Sequence, residues 1–130
     1  VAKTRKLAES LLVTGFPYDR KTHARYYLDI YGEFMIRCHG VRRTGSAAMD
    51  LCYVACGRFD GFWEMKLQAW DTAAAKLIVE EAGGKVSDFR GNGYSVYDPE
   101  ILATNARLHP EMLRILRPFF AKRRKQLTPP

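Results

Sequence analysis

Two carboxylates and one glycine-containing turn hold the residues of this sequence whose types and spacing could do chemistry together. Asp71 stands near the start of AWDTAAAKLIVEEAGG (69–84), Glu64 near the end of RFDGFWEM (58–65), and Gly45, Ser46 and Ala47 in the turn TGSAA (44–48). Glycine lets backbone come close to a ligand, and the first N–H groups of a following helix attract an anion. A carboxylate beside such a site would repel the anion unless a cation lay between them. Asp71 as a Mg2+ ligand, with phosphate bridging the metal and the helix N-termini, is therefore a coherent arrangement. Glu64, seven residues earlier, could accept hydrogen bonds from a substrate hydroxyl. Each residue also has a plainer reading. Ser46 and Asp71 are preferred helix N-caps, and Glu64 could be an ordinary solvent-facing strand residue.

These residues need elements to hold them. LLVTGF (11–16) reads as a buried strand broken by Pro17 and Asp19. Between Lys21 and His39 the residues Tyr27, Leu28, Tyr31, Phe34, Met35 and Cys38 recur at helical spacing, with Gly40 placed as a C-cap. GVRRTGS is a brief strand and turn. AAMDLCYVACG (47–57) is a helix apolar nearly all round, and so buried on most sides. RFDGFWEM alternates around aromatics as a strand does. A helix over about 71–82 follows, in which Ala73, Ala74 and Ala75 would let it pack tightly on a neighbour. KVSDF is a strand, RGNG a turn, YSVY a second arm and ILATN (101–105) another strand. His109-Pro110 starts a last helix, which Pro118 should end or kink. Strands alternating with helices predict an α/β fold with a mixed, mostly parallel sheet flanked by helices.

Bulk properties narrow the function. The 130 residues are 47% hydrophobic and 27% charged, enough for one domain with a real core. No apolar run is long enough to span a membrane, and the first residues do not show the basic-apolar-small pattern expected of a signal peptide. The first residue, Val1, suits an excised or processed piece. The net charge of +7 resides in the ends: Lys3, Arg5 and Lys6, then Lys122 to Lys125. Residues 7–121 carry 14 basic and 14 acidic side chains and are neutral, which argues against a nucleic-acid groove. The expected organisation is a domain over 1–121 and a basic, flexible tail over 122–130. Cys38, Cys52 and Cys56 contain no C-x-x-C pair, and the three histidines are scattered, so neither set spells a zinc site. Cys52 and Cys56 read as buried, reduced thiols of a cytoplasmic protein.

WDTAAAKLIVEEAGG resembles the C-terminal signature of the inositol monophosphatase family, in which a W-D pair leads a small-residue helix ending in E-A-G-G. LLVTGFPYDR (11–20), RRTGSAAMDLCYVACGRFDGFWE (42–64) and ILATN resemble its bacterial members in order and spacing, over about residues 1–120. The resemblance implies the C-terminal half of a layered α-β-α-β-α sandwich and Mg2+-dependent hydrolysis of inositol monophosphate or a related small sugar phosphate. It implies that Asp71 is a metal ligand, that Glu64 contacts a substrate hydroxyl, that Gly45, Ser46 and Ala47 line the pocket, and that Trp70 wedges the helix start against the core. The family's glutamate-rich metal site and D-P-x-D-G-T loop are absent; the sole Asp-Pro, Asp98-Pro99, lies in the wrong place. The chain is thus expected to need a missing N-terminal half, to be inactive alone, and to self-associate, as a dimer, through the face left exposed. The alternative is a non-catalytic α/β module that binds phosphate or a partner chain.

Overall fold

A computed structural model of the chain describes the backbone of residues 1–126 and the side chains of residues 1–121. After a 3-10 turn at Leu7–Glu9 come β1 (Leu11–Thr14), α1 (Arg20–Met35), β2 (Gly40–Arg42), α2 (Ala47–Ala55), β3 (Gly61–Met65), α3 (Ala69–Glu81), β4 (Lys85–Ser87), β5 (Glu100–Thr104) and α4 (His109–Gln126). The five strands form one sheet in the order β2-β1-β3-β5-β4. β1 runs parallel to β2 and β3, while β5 is antiparallel to both β3 and β4. Four strands therefore point one way and β5 alone points back: the sheet is mixed, and its helices cover both faces.

Period-two alternation sorts the strand side chains between two cores. Leu12, Trp63, Met65 and Leu102 meet Ile30 and Phe34 of α1 and Met112 and Leu116 of α4. Val13, Phe62, Ile101 and Ala103 meet Leu51 and Val54 of α2 and Ala75 and Val79 of α3. Each fully buried Leu, Ile or Phe contributes about 1.5–3 kcal/mol. Phe34 stacks on Trp63 with ring centroids 4.2 Å apart, tying α1 to the strand that carries Glu64. β3 is buried along its whole length, which is why its sequence is aromatic on both faces.

Several expectations change. α1 stops at Met35, and Gly40 opens β2 opposite Leu11 instead of capping the helix; the last four residues of the periodic run are needed for the turn into the sheet. Leu28 and Met35 of the apolar series face solvent. YSVY forms no strand: Tyr94 is buried, but the Ser95 N–H turns back to the Asp98 carboxylate at 2.7 Å. α4 runs through Pro118 to Gln126. The tail expected over 122–130 lies outside the residues whose side chains are described. All three cysteines are free, but neither of the two expected to be buried is: Cys52 is half-buried and Cys56 is exposed at the end of α2. Among the described residues no helix is long and apolar enough to cross a membrane.

One buried polar cluster joins β4, β5 and α4. His109 is 1% exposed; its Nε2 lies 2.8 Å from Ser87 Oγ and its Nδ1 3.0 Å from Thr104 Oγ1. Ser87 donates its hydroxyl hydrogen to the Asp88 carbonyl at 2.7 Å. It must then accept from Nε2–H, leaving Nδ1 to accept from Thr104. Every site is filled with the ring neutral. Burial, aided by Lys85, depresses the imidazole to about 4. The unfolded chain, with its histidine near 6.5, binds the proton first as pH falls. This contribution is complete above 6.5 and is lost between 6.5 and 4, on the order of 3 kcal/mol in all. Denaturant titrations of the wild type and His109→Gln at pH 7 and pH 4.5 should show the variant weaker at pH 7 with a flatter pH profile.

Candidate functional site

The helices that follow β1 and β3 leave for opposite faces of the sheet, so the C-terminal ends of these adjacent strands open a crevice, the usual position for a ligand in such a sheet. A cavity of about 370 Å3 lies there. Its walls come from the loop after β1 (Gly15 to Tyr18), the N-terminus of α2 (Gly45 to Ala48) and the segment from Glu64 through Asp71. Both α2 and α3 begin at the cavity and pack side by side, so two helix N-termini face it.

Local sequence sets each wall. Thr14 ends β1 by donating its hydroxyl to the Trp63 carbonyl at 2.6 Å. Glycine follows it and makes room for the site: a Cβ on Gly15 would stand 2.6 Å from Glu64 Cδ, so a larger residue would have to push that carboxyl aside. Gly45 turns the chain into α2 with φ of 97°, and Ser46 caps that helix, its Oγ accepting from Met49 N–H at 3.4 Å. Asp71 Oδ2 accepts from Gln68 N–H at 2.8 Å.

The acidic groups interact. Glu64 is 8% exposed; burial first, then the charges of Asp50 and Asp71, push its carboxyl up to about 7 despite Arg43. Asp50, 1% exposed, is also raised, because burial outweighs a hydrogen bond from Thr44 Oγ1 and the nearby Arg43 guanidinium. Two buried or half-buried carboxylates beside Glu64, in reach of two positive helix ends, make a cavity that suits a cation and an anion together.

The structure brings all five sequence-predicted residues, Gly45, Ser46, Ala47, Glu64 and Asp71, to this one cavity. Four expectations about these residues and their neighbours are corrected. Asp71 is not the N-cap: α3 starts two residues earlier, Gln68 is the N-cap, and Asp71 sits at the third helical position, reaching back to the cap. Trp70 does not wedge against the core but stands 80% exposed at the rim. Ala73 and Ala74 face outward, leaving Ala75 to pack inward. Glu64 is not solvent-facing. Sequence reasoning missed Gly15, Asp50, Asp19 and Lys66 at or around the cavity. A glycine directly after an apolar strand was a signal for the first; a lone Asp within the apolar run of 47–57 was a signal for the second.

A family model described as the inositol monophosphatase family matches residues 1–119. The chain belongs to the inositol monophosphatase family. It is 48% identical over 113 residues to the Nus factor SuhB of Salmonella typhimurium, covering 87% of this chain and 42% of that protein. It is 47% identical over 119 residues to the inositol-1-monophosphatase of Synechocystis sp., covering 89% and 40%. The solved inositol monophosphatase of Anabaena (Nostoc) sp. superimposes with a TM-score of 0.85 at 43% identity, over 91% of this chain and 47% of that one. The chain thus spans less than half the length of these relatives.

As an inositol monophosphatase family chain, it offers an acidic cavity but not a complete ligand set: among the described residues no three side chains of the metal-binding types converge on one point. Asp71 keeps Oδ1 free of the cap contact, so it can serve as one ligand. Burying Glu64 has a measurable cost. Its folded-state value near 7 lies above the ordinary 4.5, so stability is lost as pH rises through that window. Glu64→Gln should leave stability nearly unchanged at pH 5 and raise it by up to about 3 kcal/mol at pH 8, read by chemical unfolding. Gly15→Ala should lower it at both.

Proposed function

We propose that this chain is the C-terminal, substrate-side portion of a Mg2+-dependent phosphomonoesterase that hydrolyses inositol monophosphate or a related small sugar phosphate. The observation that carries the reading is the convergence of Asp71, Glu64 and the α2 N-terminus on one cavity in a chain of this family. Bound Mg2+ would supply water activation and charge neutralisation. Asp71 would hold the metal through Oδ1 while its other oxygen stays on the helix start. Glu64 would orient a substrate hydroxyl, and the N–H groups around Gly45, Ser46 and Ala47 would bind the oxygens presented to them. The remaining ligands would come from a complementary N-terminal half, so the isolated chain should be inactive or nearly so. We further propose a dimer, and a reducing, cytoplasmic setting in keeping with three free thiols.

A second reading is a non-catalytic phosphate- or partner-binding module. The lack of a three-ligand cluster among the described residues favours it for the chain alone. A relative named a Nus factor makes macromolecular partners part of that reading, although the neutral body of the chain speaks against direct nucleic-acid binding.

Asp71→Asn provides the test. In the complete enzyme it should abolish Mg2+-dependent phosphate release from inositol 1-phosphate. The thermal midpoint should move little, because Asn can still accept the Gln68 N–H. Unchanged turnover would make Asp71 a helix-start residue only. Addition of the N-terminal half in trans should restore activity to this chain; failure there would favour the non-catalytic reading.

A further inference from the structure

Lys66 holds φ at 57°, a left-handed conformation that costs a residue with a side chain on the order of 1 kcal/mol relative to glycine. Its N–H is anchored to the Pro99 carbonyl at 2.8 Å. Its ammonium crosses from the end of β3 to the Asp19 carboxylate at the start of α1. Exposed ion pairs contribute about 0–1 kcal/mol, but this one is embedded further. The Lys66 and Asp19 side chains are 34% and 26% exposed. Asp19 Oδ1 accepts from the hydroxyl of Tyr27, a core residue of α1, at 2.7 Å, and His23 Nδ1 stands 3.3 Å from Oδ2. Burial raises the Asp19 carboxyl, yet Lys66 and Tyr27 outweigh it and hold the group below the usual carboxylate range. The bridge joins two walls of the cavity: the loop after β1, with Phe16 and Tyr18, and the loop after β3, with Leu67 and Gln68.

We propose that the Lys66–Asp19 pair is a latch that fixes the width of the cavity mouth, making Lys66 a positioning residue for the substrate. What occupies the cavity rests on the phosphomonoesterase reading; the latch itself does not. The strained backbone of Lys66 is explained by the latch, since the cation reaches Asp19 from that conformation.

Three variants separate charge from strain. Lys66→Asn keeps a residue tolerant of the left-handed region but removes the ammonium, Asp19→Asn removes the anion, and Lys66→Arg keeps the cation. In hydrogen exchange on this chain, the amides of Arg20, Thr22 and His23, which bond to the Pro17 and Asp19 carbonyls, should exchange about three- to tenfold faster in Lys66→Asn and Asp19→Asn. Lys66→Arg should stay near the wild-type rate. Wild-type rates in all three would overturn the latch. In the complete enzyme with Mg2+, the KM for inositol 1-phosphate should rise several-fold in the first two variants, by more than kcat falls, and recover in Lys66→Arg. A loosened loop with unchanged KM would overturn the positioning role. A wild-type complete enzyme without phosphatase activity would count against the phosphomonoesterase reading, and exchange would then decide the latch alone.

Discussion

Where β1 and β3 diverge, the Glu64 carboxyl lies against the backbone of Gly15, in the space that a side chain there would take. The other features of the cavity follow from that approach. Parallel pairing of Leu12 with Gly61, Val13 with Phe62 and Thr14 with Trp63 brings the two strand ends level. The Thr14 hydroxyl closes the last β3 carbonyl of that register. The aromatic stack of Trp63 on Phe34 fixes the strand from the opposite face. A shift of one residue would turn Glu64 into the α1–α4 core and Trp63 or Met65 into the cavity.

Holding a carboxylate there works against stability. Glu64 and Asp50 are both buried, both raised, and close enough to repel one another. A core built for stability alone would place neutral side chains at these points. The contrast with the His109 cluster is informative. That cluster is as deeply buried, but hydroxyls and a carbonyl satisfy its polar atoms with no net charge. One site is closed and the other is left in want of a counter-charge, which is the difference expected between a structural network and a functional one.

The sequence revealed the helices, the buried strands and the five cavity residues because each has a local signature: apolar periodicity, a Gly-Ser turn, a W-D pair. What stayed hidden depends on contacts distant in sequence. Nothing near Asp71 shows that α3 would start at Ala69, since the Gln68 cap is an unusual one. The exposure of Trp70 is likewise unreadable locally, because an aromatic at a helix start is as compatible with a core as with a rim. Lys66 and Asp19 are 47 residues apart, and a lysine gives no hint of a left-handed backbone. α4 continues through Pro118 because its buried residues Met112, Leu113, Leu116 and Phe119 lie on both sides of the proline, so packing overrides the local preference to stop.

The ends of the sheet carry a separate consequence. β2 and β4, its two outermost strands, are three residues each, Gly40–Arg42 and Lys85–Ser87. Unpaired edge groups are templates for uncontrolled strand addition, and short edges bearing cations are poor templates. A neighbouring chain joining here would gain only a brief ladder and would face Arg42 or Lys85. The longer, fully buried strands β3 and β5 are the ones that could nucleate aggregation, and the order β2-β1-β3-β5-β4 places both in the interior. The topology that aligns the cavity therefore also keeps the most aggregation-prone segments of the chain out of reach of other molecules.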